Sequence, residues 1–366
     1  MKITKIEPYF LAIPYEHGAP KPSMAVGQQR GTMDACYVKV ETDQGIVGWG
    51  ESFGFACCPI SHYIIKTLIA PMAVGRDCDD IGALMLDLHK RVQNMGRSSP
   101  LIFALSGLDI ALWDIKGKAE GKPIHALLGS TGKKKRVEAY ASLLRLDTRE
   151  NIRKVEEIVL KRGYKHVKLH ERTIETVDES RKVLGEKYPL MLDTNCSWTP
   201  AQSLEMAKRL EPYSLAWLEE PLFPPDDYVE LARLRKAQKT PIAAGENLGN
   251  LLDTHRMLAA QAVDVVMPDP IKMGGITECW KALEYAREQG VRAEPHTPWF
   301  GPGLIAGLHL IGAMKEDSLV EYYFADLEQS PCGEASIPKN GYLEIPDGPG
   351  LGVEIDQKII ARYRQA

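Results

Sequence analysis

The 366-residue sequence lacks the features that mark several large classes of protein. It has no run of 18 consecutive apolar residues, which argues against a membrane-spanning helix. Its 45 lysines and arginines are balanced by 49 aspartates and glutamates, so no excess positive charge is available to hold a nucleic acid or an anionic membrane surface. Charges among the first seven residues interrupt the apolar stretch that a secretory signal requires. We therefore expect a cytoplasmic protein without nucleic-acid or membrane partners.

The cysteines are also too irregular for two common kinds of small domain. There are seven of them, and none shows Cys-x-x-Cys spacing, so neither a disulfide framework nor a zinc ribbon is supported. We expect reduced thiols. The 44% content of hydrophobic residues is ordinary for a globular protein, and the length exceeds what a single core usually serves. One large barrel or sheet with a smaller domain is expected.

A regular alternation of short apolar runs and amphipathic helical segments occupies the chain from Arg136 onward. Eight runs begin 22 to 29 residues apart, about the length of one strand, one helix and two short loops. They begin at Arg136, Lys165, Leu190, Leu215, Pro241, Val263, Val291 and Ser318. This α/β pattern is typical of parallel strands that close into a TIM-type barrel.

The two ends of the chain are less regular than this central part. Residues 1–13 and 34–49 look like antiparallel strands, residues 104–119 are helical in pattern, and residues 341–352 are rich in turn formers. We predict that residues 131–327 form the barrel. Residues 1–130, completed by the tail 328–366, are predicted to form an α+β capping domain packed against it.

Three acids stand at the ends of three successive predicted strands. Asp193, Glu219 and Glu246 are spaced 26 and 27 residues apart, so the strands direct them to one spot at the barrel mouth. Each one alone is also compatible with a solvated loop carboxylate. Together they would repel one another unless a cation compensates them, and oxygen ligands favour Mg²⁺, with Mn²⁺ as an alternative. Asn195 lies two residues beyond the first acid and can add an oxygen or orient a ligand.

The other strand ends carry groups suited to proton transfer and anion binding. Lys168 can neutralise an anionic substrate, and His170 follows it on the same face. Asp269 follows the sixth run and is positioned to orient His296, which follows the seventh, while Glu321 ends the eighth. The two histidines then flank a substrate on opposite sides. Lys168, a bound Mg²⁺ and burial are all expected to lower the pKa of His170.

Several other polar residues have simpler explanations. Glu220 points away from Glu219 along a strand and is expected to form a salt bridge in the barrel wall. A structural role is expected for His125, His255 and His309. The segment Phe-Gly-Pro-Gly at 300–303 offers a phosphate cradle, although its proline removes one backbone N–H.

Four segments together resemble the mandelate racemase subgroup of the enolase superfamily. They are Ala-Leu-Trp-Asp-Ile-Lys-Gly-Lys at 111–118, Trp-Leu-Glu-Glu-Pro at 217–221, Gly-Glu-Asn at 245–247 and Pro-Asp-Pro-Ile-Lys-Met-Gly-Gly at 268–275. The resemblance extends over nearly the whole chain. It implies a modified (β/α)7β barrel with an α+β capping domain instead of strict eightfold alternation.

The resemblance also implies roles for individual residues. The three acids look like Mg²⁺ ligands, Asp269 and His296 like an acid/base dyad, and Glu321 like the acid that hydrogen-bonds the substrate carboxylate. Lys168 matches the first lysine of a Lys-x-Lys motif. The second lysine of that motif is absent, and His170 occupies its position. The resemblance and the position of these residues also give candidates for substrate binding, which are Asn195, Lys272, Ser142 and Trp299. Lys272 is in addition a secondary candidate for the base.

The chemistry implied by the resemblance is Mg²⁺-dependent removal of the proton α to a carboxylate. The first hypothesis is a lyase that dehydrates an acid sugar to a 2-keto-3-deoxy acid, in a protein that forms a homo-oligomer. Loop 15–31 is polar and suits a polyhydroxylated substrate, whereas loop 52–58 is apolar. Two alternatives stay open, namely a racemase or epimerase of a 2-hydroxy or amino acid and a non-catalytic metal-binding barrel.

Overall fold

The first third of the chain builds an antiparallel sheet with a helical layer on it. In the computed structural model, which describes residues 1–21 and 31–365, the sheet has the order β12-β1-β2-β3. Its strands are β1 (Ile3–Glu16), β2 (Thr32–Thr42), β3 (Val47–Ser52) and β12 (Asp326–Leu327). Because β1 and β2 alternate buried and more exposed residues along most of their length, one face packs on the helices. The strand β12 comes from the far end of the chain, so the tail completes this sheet.

The helices of this region end in one long buried helix. They are α1 (Cys58–Ile64), α2 (Ala70–Ala73), α3 (Ile81–Val92), α4 (Pro100–Glu120) and α5 (Ile124–Leu127), with a π-helical turn at Ile65–Ile69 and 3₁₀ turns at Phe55–Cys57 and Gln93–Met95. The helical run Phe55–Ala73 is long and apolar enough to cross a membrane by length and composition alone, a test that helices of soluble proteins also pass. All seven cysteines are free, as expected.

Eight parallel strands form the barrel. They are β4 (Arg136–Ser142), β5 (Val167–Leu169), β6 (Leu190–Asp193), β7 (Trp217–Glu219), β8 (Ile242–Ala244), β9 (Val265–Val266), β10 (Arg292–Ala293) and β11 (Val320–Tyr323). Each strand lies within the run predicted for it or begins in it. The strands are hydrogen-bonded in the order β10-β9-β8-β7-β6-β5-β4-β11.

Seven helices connect these eight strands within residues 136–323, all of which are described. They are α6 (Arg149–Lys161), α7 (Ile174–Leu184), α8 (Pro200–Leu210), α9 (Tyr228–Ala237), α10 (Leu251–Ala259), α11 (Gly275–Glu288) and α12 (Pro302–Ala313), with a 3₁₀ turn at Glu211–Tyr213. After β11 the chain enters β12 instead of an eighth helix. The expected (β/α)7β barrel is therefore confirmed.

The tail returns to both parts of the molecule. It contains a 3₁₀ turn at Gly333–Ser336, β13 (Tyr342–Glu344) and α13 (Gln357–Tyr363). The strand β13 pairs with β4 of the barrel, and a bridge between Leu11 and Arg364 ties the last residues to β1. The division at residues 130 and 327 stays a prediction.

Side chains close the barrel where the backbone ladder does not. In the described chain no ladder joins β10 to β11. The Thr297 hydroxyl accepts the backbone N–H of Glu321 at 3.0 Å and donates to its carbonyl at 3.1 Å. Near the other end of these strands, Glu294 accepts the backbone N–H of Leu319 at 2.7 Å. These bonds satisfy the edge groups and hold His296, next to Thr297, beside Glu321.

Two buried acids of the first third dock it onto helix ends of the barrel. Glu51 in β3 accepts the backbone N–H of Gly303 at 2.8 Å, in the first turn of α12. Asp109 in α4 accepts the N–H of Thr277 at 3.0 Å, in the first turn of α11. Gly275 must be glycine there, because its φ is +86° and a Cβ would lie 2.2 Å from an Asp109 oxygen. Since Glu51 fills the end of α12, the segment 300–303 is not free to cradle a phosphate.

Candidate active site at the barrel mouth

The three predicted acids meet at the carboxyl ends of their strands. Asp193 and Glu219 are the last residues of β6 and β7 and lie opposite each other in the ladder. Glu246 follows β8 after Gly245, which has no room for a side chain because its φ is +139° and a Cβ there would lie 2.7 Å from the backbone nitrogen of Met267. One oxygen from each acid lies within 4.8 Å of the others. The grouping predicted from spacing is therefore present.

These acids fit a divalent cation because of their chemistry and because one of their buried oxygens accepts no hydrogen bond. Asp193 Oδ2 is buried and accepts no hydrogen bond; its neighbours are His170 Nε2 at 3.2 Å and Lys168 Nζ at 3.5 Å. The backbone N–H and side-chain amide of Asn195 both donate to Asp193 Oδ1, at 2.7 and 3.1 Å. Asn195 thus orients the carboxylate through Oδ1 alone. Three carboxylates with a free lone pair suit Mg²⁺ or Mn²⁺ better than zinc.

Lys168 is the cation at the centre of this cluster and is fully buried. Its Nζ lies 2.7 Å from Glu219, 2.8 Å from Glu321 and 3.5 Å from Asp193. Burial by itself lowers the pKa of Lys168, but the two glutamates outweigh it and hold the pKa well above its usual value. The ammonium is therefore protonated and positioned to offset negative charge, so Lys168 is unsuited to act as a base.

His170 lies on one side of the acids, with its two ring nitrogens in different surroundings. Nδ1 is 2.5 Å from the carbonyl of Leu143, which fixes the proton on Nδ1. Nε2 faces Asp193 Oδ2 at 3.2 Å. Burial lowers the pKa of His170, but Asp193 outweighs burial and Lys168, and the pKa is raised. The prediction of a lowered pKa was made for the site with a bound Mg²⁺ and stays a prediction.

His296 lies on the other side and is held by a carboxylate, as predicted. Its Nδ1 is 2.6 Å from Asp269 Oδ2, and Asp269 Oδ1 in turn accepts the N–H of Ile271 at 2.7 Å. Its Nε2 is 3.0 Å from Glu246. Burial lowers the pKa of His296, but Glu246 and Glu321 raise it well above its usual value. The imidazole is therefore a proton donor in this arrangement.

Lys272 reaches Glu246 from the neighbouring loop. Its Nζ is 3.0 Å from Asn247 Oδ1 and 3.4 Å from Glu246. Burial lowers the pKa of Lys272, whereas Glu246 and Asp269 raise it above its usual value. A protonated Lys272 is suited to bind an anionic group and unsuited to remove a proton. A cavity of about 750 Å³ opens beside it and is bordered on the capping side by Phe103.

Glu220 does not form the salt bridge that was expected. Within the described residues no cation lies within 4 Å of it, and it instead accepts hydrogen bonds from Asn247 at 2.9 Å and the Cys196 thiol at 3.0 Å. Its φ of +40° turns the chain after Glu219 and brings both neighbours within reach. Burial and Glu246 raise the pKa of Glu220 to about 8. Asn247, which thus contacts Glu220, Glu246 and Lys272, was not predicted as a site residue.

Two aromatic residues that the sequence analysis missed lie beneath the acids. The Tyr140 hydroxyl donates to Glu321 Oε2 at 3.0 Å, and the Trp217 indole N–H donates to Glu219 Oε2 at 2.8 Å. Ser142, a predicted substrate contact, donates to Glu321 Oε1 at 2.6 Å. Tyr140 precedes Ser142 by two residues, and Trp217 precedes Glu219 by two. Because side chains alternate along a strand, this spacing was the available signal.

Aromatic rings cover one side of the mouth. Trp299 lies edge-on to His296, with ring centroids 5.8 Å apart, and contacts Phe53 and Phe55 at 5.6 and 5.4 Å. Its buried Nε1 has no hydrogen bond among the described residues. On the other side of the mouth, the ring centroids of Tyr323 and His170 are 6.1 Å apart. The apolar loop 52–58 therefore packs over the mouth.

The polar loop 15–31 is described only in part. His17 is buried, and Lys21 lies 3.7 Å from Glu16. Four other polar residues of the loop lie outside the described residues, namely Ser23, Gln28, Gln29 and Arg30. His125 and His309 stack on each other in the core with ring centroids 5.4 Å apart, which is a structural arrangement. His255 stacks on Tyr285 at 4.1 Å.

A (β/α)7β barrel with a capping layer and an acidic triad at its mouth defines an enzyme of the metal-dependent TIM-barrel class. Residues 15–129 match the model of the mandelate racemase/muconate lactonizing enzyme N-terminal domain, and residues 150–359 match that of the enolase C-terminal domain-like family. The chain therefore belongs to the mandelate racemase/muconate lactonizing enzyme family of the enolase superfamily.

Curated relatives and solved structures agree with this placement. The chain is 32% identical over 344 residues to an arabinonate dehydratase of Saccharolobus solfataricus, covering 91% of each protein. It is 30% identical over 388 residues to a D-galactarolactone cycloisomerase of Agrobacterium fabrum, covering 100% of this chain and 99% of that protein. The crystal structure of the 3,6-anhydro-D-galactonate cycloisomerase from Zobellia galactanivorans matches with a TM-score of 0.84 at 29% identity, over 100% of both chains.

Proposed function

We propose that the protein is a Mg²⁺-dependent dehydratase that converts an acid sugar to a 2-keto-3-deoxy acid. The observation that carries this proposal is the placement of two differently held histidines beside one acidic triad. His170 presents Nε2 next to Asp193, and His296 presents Nε2 next to Glu246. A carboxylate held at the triad would thus have one imidazole on each side of its α-carbon.

The residues divide the work of proton removal and water loss. His170 takes the α-proton at Nε2, because the Leu143 carbonyl keeps the proton of the neutral ring on Nδ1. His296 gives its Nε2 proton to the departing β-hydroxyl, while Asp269 stabilises the ring through Nδ1. A bound divalent cation supplies charge stabilisation for the substrate carboxylate as the α-proton leaves.

Positive charge and exclusion of water complete the site. Lys168 and Lys272 are both buried and protonated, and each faces a triad acid. Charges in such a water-poor site act more strongly on developing negative charge than they would in solvent. The rings of Phe53 and Trp299 exclude water from the side of His296. Ser142 orients Glu321, and the free indole N–H of Trp299 is available to a substrate hydroxyl.

The experiment is a screen of the purified protein with Mg²⁺ against aldonic and aldaric acids of five and six carbons. Formation of a 2-keto-3-deoxy acid is measured as its semicarbazone, and each positive reaction is repeated after metal removal with EDTA. We expect turnover of at least one acid sugar that is lost in EDTA and restored by Mg²⁺. Water loss that continues at full rate without divalent cation would refute the proposal.

Cyclo-isomerisation is a second candidate, because the Agrobacterium relative covers 100% of this chain. The same two histidines would also permit racemisation. Mass spectrometry of the products separates these reactions, since dehydration lowers the mass of the acid sugar by one water molecule and the other two reactions leave the mass unchanged. A cytoplasmic location, Mn²⁺ as a substitute metal and a homo-oligomeric state remain part of the proposal.

A further inference from the structure

The floor of the barrel mouth is an apolar layer that carries two hydrogen-bond donors. Its buried residues form a small core of their own, separate from the main core. They are Tyr140, Met191, Trp217, Ala243, Val265 and Met267. The rings of Tyr140 and Trp217 meet edge to face with centroids 5.8 Å apart. Each ring donates its polar hydrogen to a carboxylate of the site, as described above.

The oxygens of two glutamates are shared between this floor and Lys168. Lys168 contacts Oε1 of Glu219 and Oε1 of Glu321. The indole N–H of Trp217 donates to Oε2 of Glu219, and the Tyr140 hydroxyl donates to Oε2 of Glu321. Each carboxylate therefore has a cation on one oxygen and a neutral aromatic donor on the other. Rotation of either carboxylate breaks both contacts.

We propose that Trp217 is a positioning residue for metal binding, acting through Glu219, and that Tyr140 is its counterpart for Glu321. The proposal rests on the proposed function, in which Glu219 is a metal ligand. An N–H fixed in the barrel core holds the ligand carboxylate in one orientation before the cation arrives. Removing such a partner of a ligand typically lowers metal affinity about 10- to 100-fold.

The two donors can be separated because they serve different acids. Trp217 is 1% exposed and Tyr140 is fully buried, so both rings lie in the core, and a substitution that removes only the N–H of Trp217 or only the hydroxyl of Tyr140 leaves the packing nearly unchanged. Only Glu219 belongs to the acidic triad. A role limited to packing predicts similar effects of the two substitutions on metal binding. The positioning role predicts an effect at Trp217 alone.

The experiment uses the full-length, metal-free protein and measures Mn²⁺ binding from the electron paramagnetic resonance signal of free Mn²⁺. The sharpest variant carries 3-benzothienylalanine at position 217, introduced by nonsense suppression, because this residue keeps the shape of indole and lacks its N–H. Trp217→Phe is the second variant, and Tyr140→Phe is the matched control. Thermal unfolding midpoints are recorded for each protein.

We expect Mn²⁺ affinity about tenfold weaker than wild type or lower in both variants at position 217, and within twofold of wild type in Tyr140→Phe. Wild-type affinity in the benzothienyl protein, or an equal loss in Tyr140→Phe, would overturn the positioning role. Absence of Mn²⁺ binding to the wild type would instead overturn the proposed metal function and this inference with it. If Trp217→Phe does not fold, the benzothienyl protein alone decides.

Discussion

Buried carboxylates occur in two regions of this protein and are held there in opposite ways. At the barrel mouth, burial alone would raise the pKa of Glu246, but Lys272 and His296 hold it well below its usual value. At the seam between the capping layer and the barrel, burial raises the pKa of Glu51 to about 8 and that of Asp109 to about 7. At pH 7 Glu246 is therefore charged, whereas Glu51 is largely neutral and Asp109 only partly charged; the mouth itself is mixed, because burial and neighbouring acids raise the pKa of Glu219 to about 7.

The difference lies in the partners that each region supplies. The mouth provides Lys168, Lys272 and two histidines, so negative charge is kept and can hold a cation. The seam provides backbone N–H groups of Gly303 and Thr277. A carboxyl group there acts as a hydrogen-bonding group at a helix end. Burial of an acid is therefore not evidence of catalysis unless a charged partner accompanies it.

The largest expected effect comes from removing one charge of the triad. Glu219→Gln should reduce turnover to below about one thousandth, because one of three carboxylates is lost from the cation site. It should also weaken Mn²⁺ binding. The matched control is Glu220→Gln, which alters the adjacent buried acid and should keep Mn²⁺ affinity within a few fold. Full activity of the Glu219 variant would contradict a triad at the mouth.

Removing the central cation tests whether the mouth depends on paired charge. Lys168→Met leaves Glu219, Glu321 and Asp193 without their shared ammonium and should lower the free energy of unfolding by about 3–5 kcal/mol. Urea unfolding of the metal-free protein measures this. Lys165→Met removes an exposed lysine three residues away and should cost less than about 1 kcal/mol. If the two variants lose the same free energy of unfolding, the ion pairs of Lys168 contribute little to stability.

The two sides of the mouth are expected to differ when only one histidine is removed. His296→Asn should slow water loss by at least about 100-fold, because the proton donor to the leaving hydroxyl is gone. His170 should still exchange the substrate α-proton for deuterium in D₂O, followed by proton NMR. Loss of both reactions at once would mean that His296 is itself the base. His170→Asn is the reciprocal variant and should lose exchange.

The effect expected at the seam depends on pH and is absent near pH 5. The folded-state pKa of Glu51, about 8, lies above its ordinary value of 4.5, so the stability that the proton supplies is present below pH 4.5 and is lost as the pH rises through 8. Glu51→Gln should therefore change stability little at pH 5. Between pH 5 and pH 8 the free energy of unfolding of this variant should fall less steeply with pH than that of the wild type, and the slopes should differ by up to about 1.4 kcal/mol per pH unit. If the free energies of unfolding of the variant and the wild type change in parallel from pH 5 to 9, Glu51 is ionised throughout this range.

Much of this fold could be predicted because its pattern is local and repeated. Each strand and helix of the barrel has its own periodicity, and strand ends in a parallel barrel converge by construction. Asp193, Glu219 and Glu246 were therefore found by spacing alone. The Asp269 and His296 pair could be predicted for the same reason, since both follow neighbouring strands.

What could not be predicted depends on contacts between distant parts of the chain. Nothing near Glu51 in sequence indicates that Gly303 will donate to it across 252 residues. The failed prediction for Glu220 has a local cause, since its left-handed backbone breaks the alternation on which the prediction was based. For His170, the negative charge of Asp193 lies 3.2 Å from Nε2 and raises the pKa, a contact that the spacing of residues does not reveal.

The most direct test of metal-dependent proton abstraction at the mouth is deuterium exchange at the substrate α-carbon. The wild-type protein is incubated in D₂O with an acid sugar that it turns over, once with Mg²⁺ and once after the metal has been removed with EDTA, and loss of the α-proton signal is followed by NMR. We expect exchange or water loss with Mg²⁺ and neither reaction without it. α-Proton exchange at the same rate in the metal-free protein would contradict a catalytic role for the acidic triad.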